Sequence, residues 1–279
     1  MKYTVLSLFP EITDAFFANS IMAKAIKRGI IEYQSVNIRD FAADKHKTCD
    51  DAPYGGGAGM LMLAQPLSRA LESVGAKKKG GSDTSSGIYF ENSKNGFAPR
   101  SSKVIYLSPS GGLFNQELAK QLAAERELIL ICGRYEGIDQ RVIDRYADDE
   151  ISVGDYVLSS GEVAALAVID ATYRLVDRVI CSQSLDEESF SGGLLEYPQF
   201  TRPEIFDTMK VPEVLLSGHH ERIRRWRLER KIEKTMTMRP DLIQRGRENG
   251  IFNREIISII DRLENDSGSD IEGEKDERD

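Results

Sequence analysis

Two short apolar segments in the middle of the chain each run directly into a glycine-containing loop. The first, Leu128–Cys132, is unbroken and has the length of a strand that is buried on both faces of a sheet. It stops abruptly at the loop Gly133–Gly137, and a second such strand, Ile151–Val153, stops at Gly154–Tyr156. Strands buried on both faces occur mainly in parallel sheets that helices cover, so this stretch restricts the chain to few folds.

These loops indicate a ligand site. Glycine lets a backbone approach a ligand where a Cβ atom would clash, and in open α/β sheets ligands bind beyond the carboxyl ends of the strands. A third strand, Lys103–Leu107, also ends in small residues, Ser108–Gly112. For either glycine loop alone, a simple tight turn is an equally good interpretation. Two such loops within about thirty residues favour a shared pocket.

The N-terminal part of the chain has the pattern of an α/β domain. Tyr3–Phe9 predicts a strand, Pro10–Arg28 a helix that stops at Gly29, and Ile31–Asn37 a second strand. Strand, helix and strand in this order open a parallel α/β sheet. Further helices are predicted over Pro66–Val74, Asn115–Glu125, Asp139–Tyr146 and Ser160–Leu175.

A glycine-rich loop follows the second strand. Four of the five residues in Gly55–Gly59 are glycine, and Asp50 and Asp51 precede them, which is typical of a loop that folds closely around a ligand. It is not a phosphate-binding P-loop, because no Gly-Lys-Ser/Thr follows. No G-x-G-x-x-G pattern follows the first strand either, which disfavours a dinucleotide oxidoreductase.

The charge distribution divides the chain. Residues 1–177 form the predicted α/β domain, 178–200 a linker without periodicity, and 201–263 a basic helical domain. From His219 to Arg247 there are ten Lys or Arg and four Asp or Glu, a balance of +6, which the net charge of −8 conceals. The acidic tail, residues 264–279, is expected to be disordered, and residues 76–100 read as a surface insertion without an assigned role.

Composition also limits the compartment. No run approaches the roughly 18 to 20 apolar residues that span a bilayer, and the N-terminus lacks a signal-peptide cleavage site. Cys49, Cys132 and Cys181 are odd in number, widely spaced and without a metal-ligand pattern, which argues against disulfides and catalytic thiol chemistry. We therefore expect a soluble cytoplasmic protein that does not bind a membrane.

Eight segments carry a family resemblance. They are SLFPE at Ser7, RDF at Arg39, DKHKTCDDAPYGGGAGM at Asp44, YLSP at Tyr106, CGRYEGID at Cys132, ISVGDYVLSSGE at Ile151, ESFSGGLLEYPQFTRP at Glu188 and LSGHHERIRRWR at Leu216. In this order they closely resemble the bacterial tRNA (guanine-N1)-methyltransferases of the TrmD type, in the SPOUT superfamily. The resemblance covers nearly the whole chain except the insertion and the tail. It implies an α/β parallel sheet whose C-terminal part forms a deep trefoil knot, plus a small helical C-terminal domain.

The resemblance also implies the cofactor site. The loops after Leu107, Cys132 and Val153 are expected to form the knot and to bind S-adenosyl-L-methionine. The residues implied are Tyr106, Leu107, Ser108, Pro109, Gly133, Tyr135, Glu136, Gly137, Val153, Gly154, Tyr156, Leu158, Ser160 and Gly161. Glu136 has three possible roles: facing the sulfonium, facing a Mg²⁺ ion, or bonding its own loop. Ser160 stands where the family commonly has glycine, and serine fits there only if its φ is negative.

Two charged residues are implied to be catalytic. Methylation at guanine N1 requires a group that accepts the N1 proton and a cation that stabilises charge at O6. The resemblance implies Glu188 as the base and Arg174 as the cation. The family base is usually aspartate, so Asp186 is an alternative, and a solvated acidic loop is the non-functional interpretation. Arg134 and Arg141 are expected to make structural ion pairs.

The remaining implied residues concern RNA and the partner subunit. A basic amphipathic helix alone is more often a solvated face than an RNA-binding surface. Here the family motif favours contacts with tRNA phosphates. Asp50 and Gly55–Gly59 are candidates to line the flipped base. The family builds each active site from two subunits, so a symmetric homodimer is expected. The residues implied to bind RNA are Asp50, Arg202, Ser217, Gly218, His219, Arg224, Arg225 and Arg227.

The resulting prediction is a dimeric methyltransferase that transfers a methyl group from S-adenosyl-L-methionine to N1 of guanosine-37 in tRNA, next to the anticodon. Two rival functions remain open at this stage. One is a related SPOUT methyltransferase that modifies another tRNA or rRNA position. The other is an RNA-binding module that has lost catalysis, an alternative that the departures at Glu188 and Ser160 keep open.

Overall fold

The structure, a computed structural model, describes residues 1–79, 102–181 and 187–273. Side chains are described up to and including Asp266. It consists of two compact units, Met1–Ile180 and Cys181–Asp279. The division between Ile180 and Cys181 lies three residues beyond the end of the predicted first domain at residue 177. Most of the predicted insertion, residues 80–100, lies outside the described residues, and so does Asp186.

The first unit alternates strands and helices. Its strands are β1 (Lys2–Ser7), β2 (Glu32–Asn37), β3 (Asp50–Asp51), β4 (Leu61–Met62), β5 (Lys103–Leu113), β6 (Glu127–Cys132) and β7 (Asp149–Ser152). Its helices are α1 (Glu11–Phe17), α2 (Ser20–Lys27), α3 (Ala64–Ser73), α4 (Gln116–Ala123), α5 (Gln140–Tyr146) and α6 (Gly161–Tyr173), with a 3₁₀ helix at Ile38–Phe41.

Five strands form one sheet in the order β2-β1-β6-β5-β7, and every neighbouring pair is parallel. The predicted parallel α/β sheet is therefore confirmed. β3 and β4 form a separate antiparallel pair. β6 lies in the middle of the sheet and its residues 128–132 are completely buried, as the continuous apolar run predicts.

Alternate residues of the strands supply two hydrophobic cores, one on each face of the sheet. On one face Val5 and Leu130 pack with residues of α1, α2, α4 and α6. On the other face Leu6 and Ile129 pack with residues of α3 and α5. Burying a leucine or isoleucine side chain contributes about 1.5–3 kcal/mol, so the two cores hold the strand ends firmly in place.

Two predicted elements differ from the structure. The helix predicted over Pro10–Arg28 is two helices, because Asn19 is extended and Ser20 has a φ of 59°. Asn and Ser compete with helical hydrogen bonds, and the Asn19 side chain donates to the carbonyl of Ala15. The strand predicted to end at Leu107 continues to Leu113, since Gly112 and Leu113 also pair with β7.

The second unit is mainly helical. It contains a 3₁₀ helix (Ser191–Gly193), a hairpin of β8 (Ile205–Phe206) and β9 (Met209–Lys210), and helices α7 (Glu213–Leu216), α8 (His220–Met238), α9 (Pro240–Glu248) and α10 (Arg254–Gly273). Its core contains Leu194, Ile232, Phe252 and Ile260. Part of the predicted linker therefore packs into this unit. Residues 264–273 of the predicted disordered tail continue α10.

No helix within the described residues is long and apolar enough to cross a lipid bilayer.

Candidate active site

The bulged part of β5 and the loops that follow β6 and β7 line one cavity of about 300 Å³. All fourteen residues predicted to bind the cofactor, from Tyr106 to Gly161, are among those that line it. Their role as cofactor ligands stays a prediction, but the structure does bring all of them together around one cavity. The cavity is also lined by residues that were not predicted: Ser110, Arg134, Ile151, Ser152, Val157, Ser159 and Ala164.

The first wall is a bulge in β5. Leu107 and Gly112 both pair with Ile151, so the residues between them are excluded from the ladder and project toward the cavity. A Cβ atom on Gly111 would overlap the backbone of Glu150 and Ile151. Glycine at this position is therefore required for β5 and β7 to approach each other beyond the bulge.

The second and third walls are joined at Gly133 and Gly161. The Gly161 amide donates to the Gly133 carbonyl at 2.8 Å, and Arg134 and Ser160 form an isolated antiparallel bridge. A Cβ atom on Gly161 would lie 2.7 Å from Gly133 N. Ser160 has a φ of −163°, which is extended backbone open to any residue, so serine fits where the family commonly has glycine.

Tyrosines define the inner and outer parts of the cavity. Tyr106 is buried against Gly133, and burial raises the pKa of its phenol, so the hydroxyl is neutral near pH 7. Tyr156 is exposed, and its hydroxyl donates to the carbonyl of Val153 at 3.3 Å. Gly154, with a φ of 153°, lies against the Tyr156 ring. The lining thus combines backbone groups with aromatic faces, which suits a nucleoside.

Glu136 connects the cavity to the glycine-rich loop. Its amide donates to the carbonyl of Met60 at 3.0 Å, and a Cβ atom on Gly59 would overlap the Glu136 side chain. Glu136 is exposed and lines the cavity. Asp50 is half-buried in β3 and pairs with Met62 of β4, which fixes the base of the same loop. Among the described residues, no three His, Cys, Asp or Glu side chains cluster as a metal site.

The two cysteines inside the first unit are poorly suited to nucleophilic chemistry. Cys49 and Cys132 are buried, and burial raises the pKa of both thiols, Cys132 most strongly. A neutral thiol is a weak nucleophile. Cys181 is exposed at the start of the second unit.

The predicted catalytic residues lie in different units. Arg174 is the half-buried C-cap residue of α6 in the first unit. Glu188 is half-buried in the second unit, and its carbonyl accepts from the amide of Ser191 at 3.1 Å. Phe190, with a φ of 71°, closes this turn, and its amide donates to the carbonyl of Leu194. Leu194 is buried in the helical core, so the segment that carries Glu188 is anchored there.

The predicted RNA-binding residues of the second unit surround the start of α8. Ser217 and Gly218 form the turn before it, and His219 is its N-cap residue. Arg202 is exposed, next to the β8–β9 hairpin. These positions are accessible, as a nucleic-acid surface requires.

The three predicted arginines of α8 are engaged with carboxylates. The Arg224 guanidinium lies between Glu221 and Glu255, at 2.8 Å and 3.0 Å. These two carboxylates raise the pKa of Arg224. Arg225 lies 3.5 Å from Glu229, and Arg227 lies over the Tyr197 ring, 3.7 Å from Glu187. Their charge is thus partly neutralised within the second unit.

Both arginines expected to be structural have carboxylate partners. Arg141 makes a two-pronged contact with Asp139 at 2.6 Å and 2.9 Å, and Asp139 caps α5 as predicted. Arg134 faces the buried carboxylate of Glu162, with 3.8 Å between Nε and Oε2. The sequence marks Glu162 only as a first-turn residue of α6, because its burial depends on distant strands.

A model of the family tRNA (Guanine-1)-methyltransferase TrmD matches residues 1–245. The chain belongs to the TrmD family. The resemblance carried by the eight sequence segments is therefore confirmed.

The relatives match almost the whole chain. A tRNA (guanine-N(1)-)-methyltransferase from Treponema denticola is 57% identical over 266 residues, 95% of this chain and 100% of the relative. Proteins of the same name from Treponema pallidum and Borrelia duttonii are 53% and 54% identical, over 95% and 91% of this chain and 96% and 100% of the relatives. This TrmD-family chain thus matches its relatives over nearly their full length.

Proposed function

We propose that this protein is a tRNA (guanine-N1)-methyltransferase that modifies guanosine-37, next to the anticodon, with S-adenosyl-L-methionine as the methyl donor. Membership of the TrmD family, together with three relatives of that name more than half identical, supports the reaction class. The observation that supports the assignment of residues is the cavity that the bulge of β5 and the loops after β6 and β7 line together.

The cavity suits the cofactor. Its volume is at the lower end of the roughly 300–1,000 Å³ typical of ligand pockets. Gly133 and Gly161 let the walls of the cavity pack closely against each other and against Tyr106, and uncharged backbone groups can read an adenine edge. S-adenosyl-L-methionine, when bound, supplies a methyl group on a positively charged sulfur. Tyr106 and Leu107 are proposed to hold it from the β5 side, and Gly154 and Leu158 from the β7 side.

The protein's own groups are proposed to handle the proton and the charge. Guanine N1 carries a proton that must leave as N1 gains the methyl group, and the carboxylate of Glu188 is proposed to accept it. Negative charge then moves toward O6 of the base, where the guanidinium of Arg174 is proposed to stabilise it. Asp50 and Gly55–Gly59 are proposed to line the flipped base.

Membership of the family supports further parts of the proposal. The strands and loops around the cavity are proposed to form a deep trefoil knot, and the protein to act as a cytoplasmic homodimer. Each active site would then combine the cavity of one subunit with Glu188 of the other. Glu136 is proposed to be the carboxylate beside the methionine end of the cofactor, where it can face the sulfonium or Mg²⁺.

Methylation of a defined tRNA tests the function. A tRNA transcript with guanosine at position 37 should yield 1-methylguanosine after nuclease digestion and mass spectrometry. The matched transcript with adenosine-37 should yield none. Product at another position would favour a different SPOUT methyltransferase, and binding without turnover would favour an RNA-binding module. Parallel reactions with Mg²⁺ and with a chelator show whether turnover needs the ion.

The ion pairs of α8 predict that two of its arginines contribute unequally to RNA affinity. Arg222 is exposed and has no carboxylate partner within the described residues, whereas two carboxylates hold Arg224. Arg222→Ala should therefore weaken tRNA binding more than Arg224→Ala and lower the salt slope of log K by about one. Filter binding over a range of salt concentrations measures both variants. Equal effects would show that RNA displaces Glu221 and Glu255 from Arg224.

A further inference from the structure

A carboxylate is buried directly behind the cavity. Glu162, in the first turn of α6, is 0% exposed and does not line the cavity. Its Oε1 accepts a hydrogen bond from Ser7 Oγ at 2.5 Å, and Ser7 Oγ accepts from the amide of Phe9. Within the described residues, Oε2 has no hydrogen-bond partner. A buried ionised carboxylate is costly unless it is paired, so a further partner is expected for Oε2.

Arg134 is placed to be that partner, but the distance between the two groups is longer than a hydrogen bond. Its Nε lies 3.8 Å from Glu162 Oε2 and likewise lacks a hydrogen-bond partner within the described residues. The Arg134 guanidinium lies 4.3 Å from the centroid of the Phe9 ring, which covers one side of it. A hydrogen-bonded pair of these groups would be about 2.7–2.9 Å apart. The two unsatisfied atoms thus face each other across a gap about 1 Å too long.

The two charges belong to adjacent walls of the cavity. Arg134 follows Gly133 in the loop after β6, and Glu162 follows Gly161 at the end of the loop after β7. The Gly161–Gly133 hydrogen bond and the Arg134–Ser160 bridge join the same walls. Ser7, at the end of β1, fixes the Glu162 carboxylate from the sheet side. The Arg134–Glu162 pair therefore spans the same two walls that these backbone contacts join.

We infer that Glu162 is a positioning residue, which acts through Arg134 to set the width of the cofactor cavity. The pair shortens to a hydrogen-bonded ion pair when the cavity is filled. This inference rests on the proposed function, since it takes S-adenosyl-L-methionine as the occupant. A weakly solvated ion pair is strengthened steeply by a small decrease in distance, so closure couples cofactor binding to the pair. Chemistry and RNA binding use other residues.

Calorimetric titration of the full-length protein with S-adenosyl-L-methionine tests this inference. Glu162→Gln keeps the shape of the side chain and an acceptor for Ser7 but removes the charge. Arg134→Gln removes the opposite charge. Each variant should raise the Kd for the cofactor about tenfold, and the double variant should raise it about tenfold rather than a hundredfold. Arg134→Lys should recover part of the loss, because it keeps a positive charge.

Two readouts separate positioning from a general structural role. At saturating cofactor, kcat and the Kd for tRNA should stay within about twofold of the unsubstituted protein, so that the loss lies in the KM for the cofactor. Arg141→Gln, which breaks the ion pair with Asp139, is the matched control and should leave the cofactor Kd unchanged. Should Glu162→Gln not fold, the comparison of Arg134→Gln with Arg134→Lys gives the same test.

Several results would overturn the inference. An unchanged cofactor Kd in Glu162→Gln would do so. A Kd in the double variant that is raised by the product of the two single increases would also do so, because it would show that the two residues act independently. A lower melting temperature in both variants without a change in cofactor Kd would make the pair purely structural. Failure of the unsubstituted protein to bind S-adenosyl-L-methionine would instead refute the proposed function, so the two failures are distinguishable.

Discussion

Replacing Glu188 by glutamine is expected to lower kcat by about 10²- to 10⁴-fold, the usual contribution of a general base. Glutamine has nearly the shape of glutamate but cannot accept the N1 proton. The carbonyl of Glu188 accepts from the amide of Ser191, a backbone contact that the substitution leaves in place. The turn should therefore persist while the chemistry is lost. Single-turnover methylation of tRNA with saturating cofactor measures the effect without interference from product release.

Binding measurements are the control for Glu188→Gln. The Kd values for S-adenosyl-L-methionine and for tRNA should each stay within about twofold, because the carboxylate is proposed to act on the transition state rather than on binding. Glu188→Asp should keep most of the activity, since aspartate is the usual residue of the family and differs by one methylene. A methylation rate in Glu188→Gln equal to that of the unsubstituted protein would reassign the base, and Asp186→Asn would be the next variant to measure.

The central sheet is the part of the fold that the sequence predicts best. Leu128–Cys132 is apolar at every position, which is typical of a strand covered on both faces, and the loop that follows it limits the run to the length of a strand. The loops beyond it follow from parallel topology, because parallel strands end at the same edge of a sheet. Periodicity and parallel topology thus place Gly133 and Gly154 at one edge of the sheet, and in the structure both line one cavity.

The features that the sequence does not predict depend on contacts between distant residues. The continuation of β5 past Leu107 requires the pairing of Gly112 with Ile151, and small residues in that segment look like an ordinary loop. The burial of Glu162 depends on Ser7, 155 positions earlier in the chain. Leu194 packs into the helical core although its neighbours have the composition of a solvated linker. Local patterns carry no information about these partners.

The same limit applies to the predicted RNA-binding residues. Motif matching assigns Arg224 and Arg225 together, because both stand in the segment that resembles the family. In the structure their side chains differ, since Arg224 is held by two carboxylates from α8 and α10 and Arg225 by one. Counting the arginines of the helix therefore overestimates the positive charge that can contact RNA phosphates, since carboxylates already neutralise part of it.

Mixing two inactive variants is expected to restore methylation if each active site is built from two subunits. One variant is Glu188→Gln, which keeps an intact cavity. The other is Gly161→Ala, whose added Cβ atom would lie 2.7 Å from Gly133 N and 2.8 Å from Cys132 Cα. Overpacking of this kind costs about 1–3 kcal/mol, less than the roughly 5–15 kcal/mol stability of a typical domain. Gly161→Ala should therefore fold, but the added methyl group should displace the Gly133 backbone that lines the cavity and so abolish cofactor binding.

In a mixed dimer, the intact cavity of the Glu188→Gln subunit would face the intact Glu188 of the Gly161→Ala subunit, so one site of two should work. Random pairing on co-expression makes about half of the dimers mixed, which predicts about a quarter of the unsubstituted activity. Purification through two different affinity tags should raise this to about half. Each variant purified alone is the control, since both sites of either homodimer are defective and neither should methylate tRNA. If the cavity and Glu188 of one subunit form a complete site, both halves of every mixed dimer are defective and no activity returns.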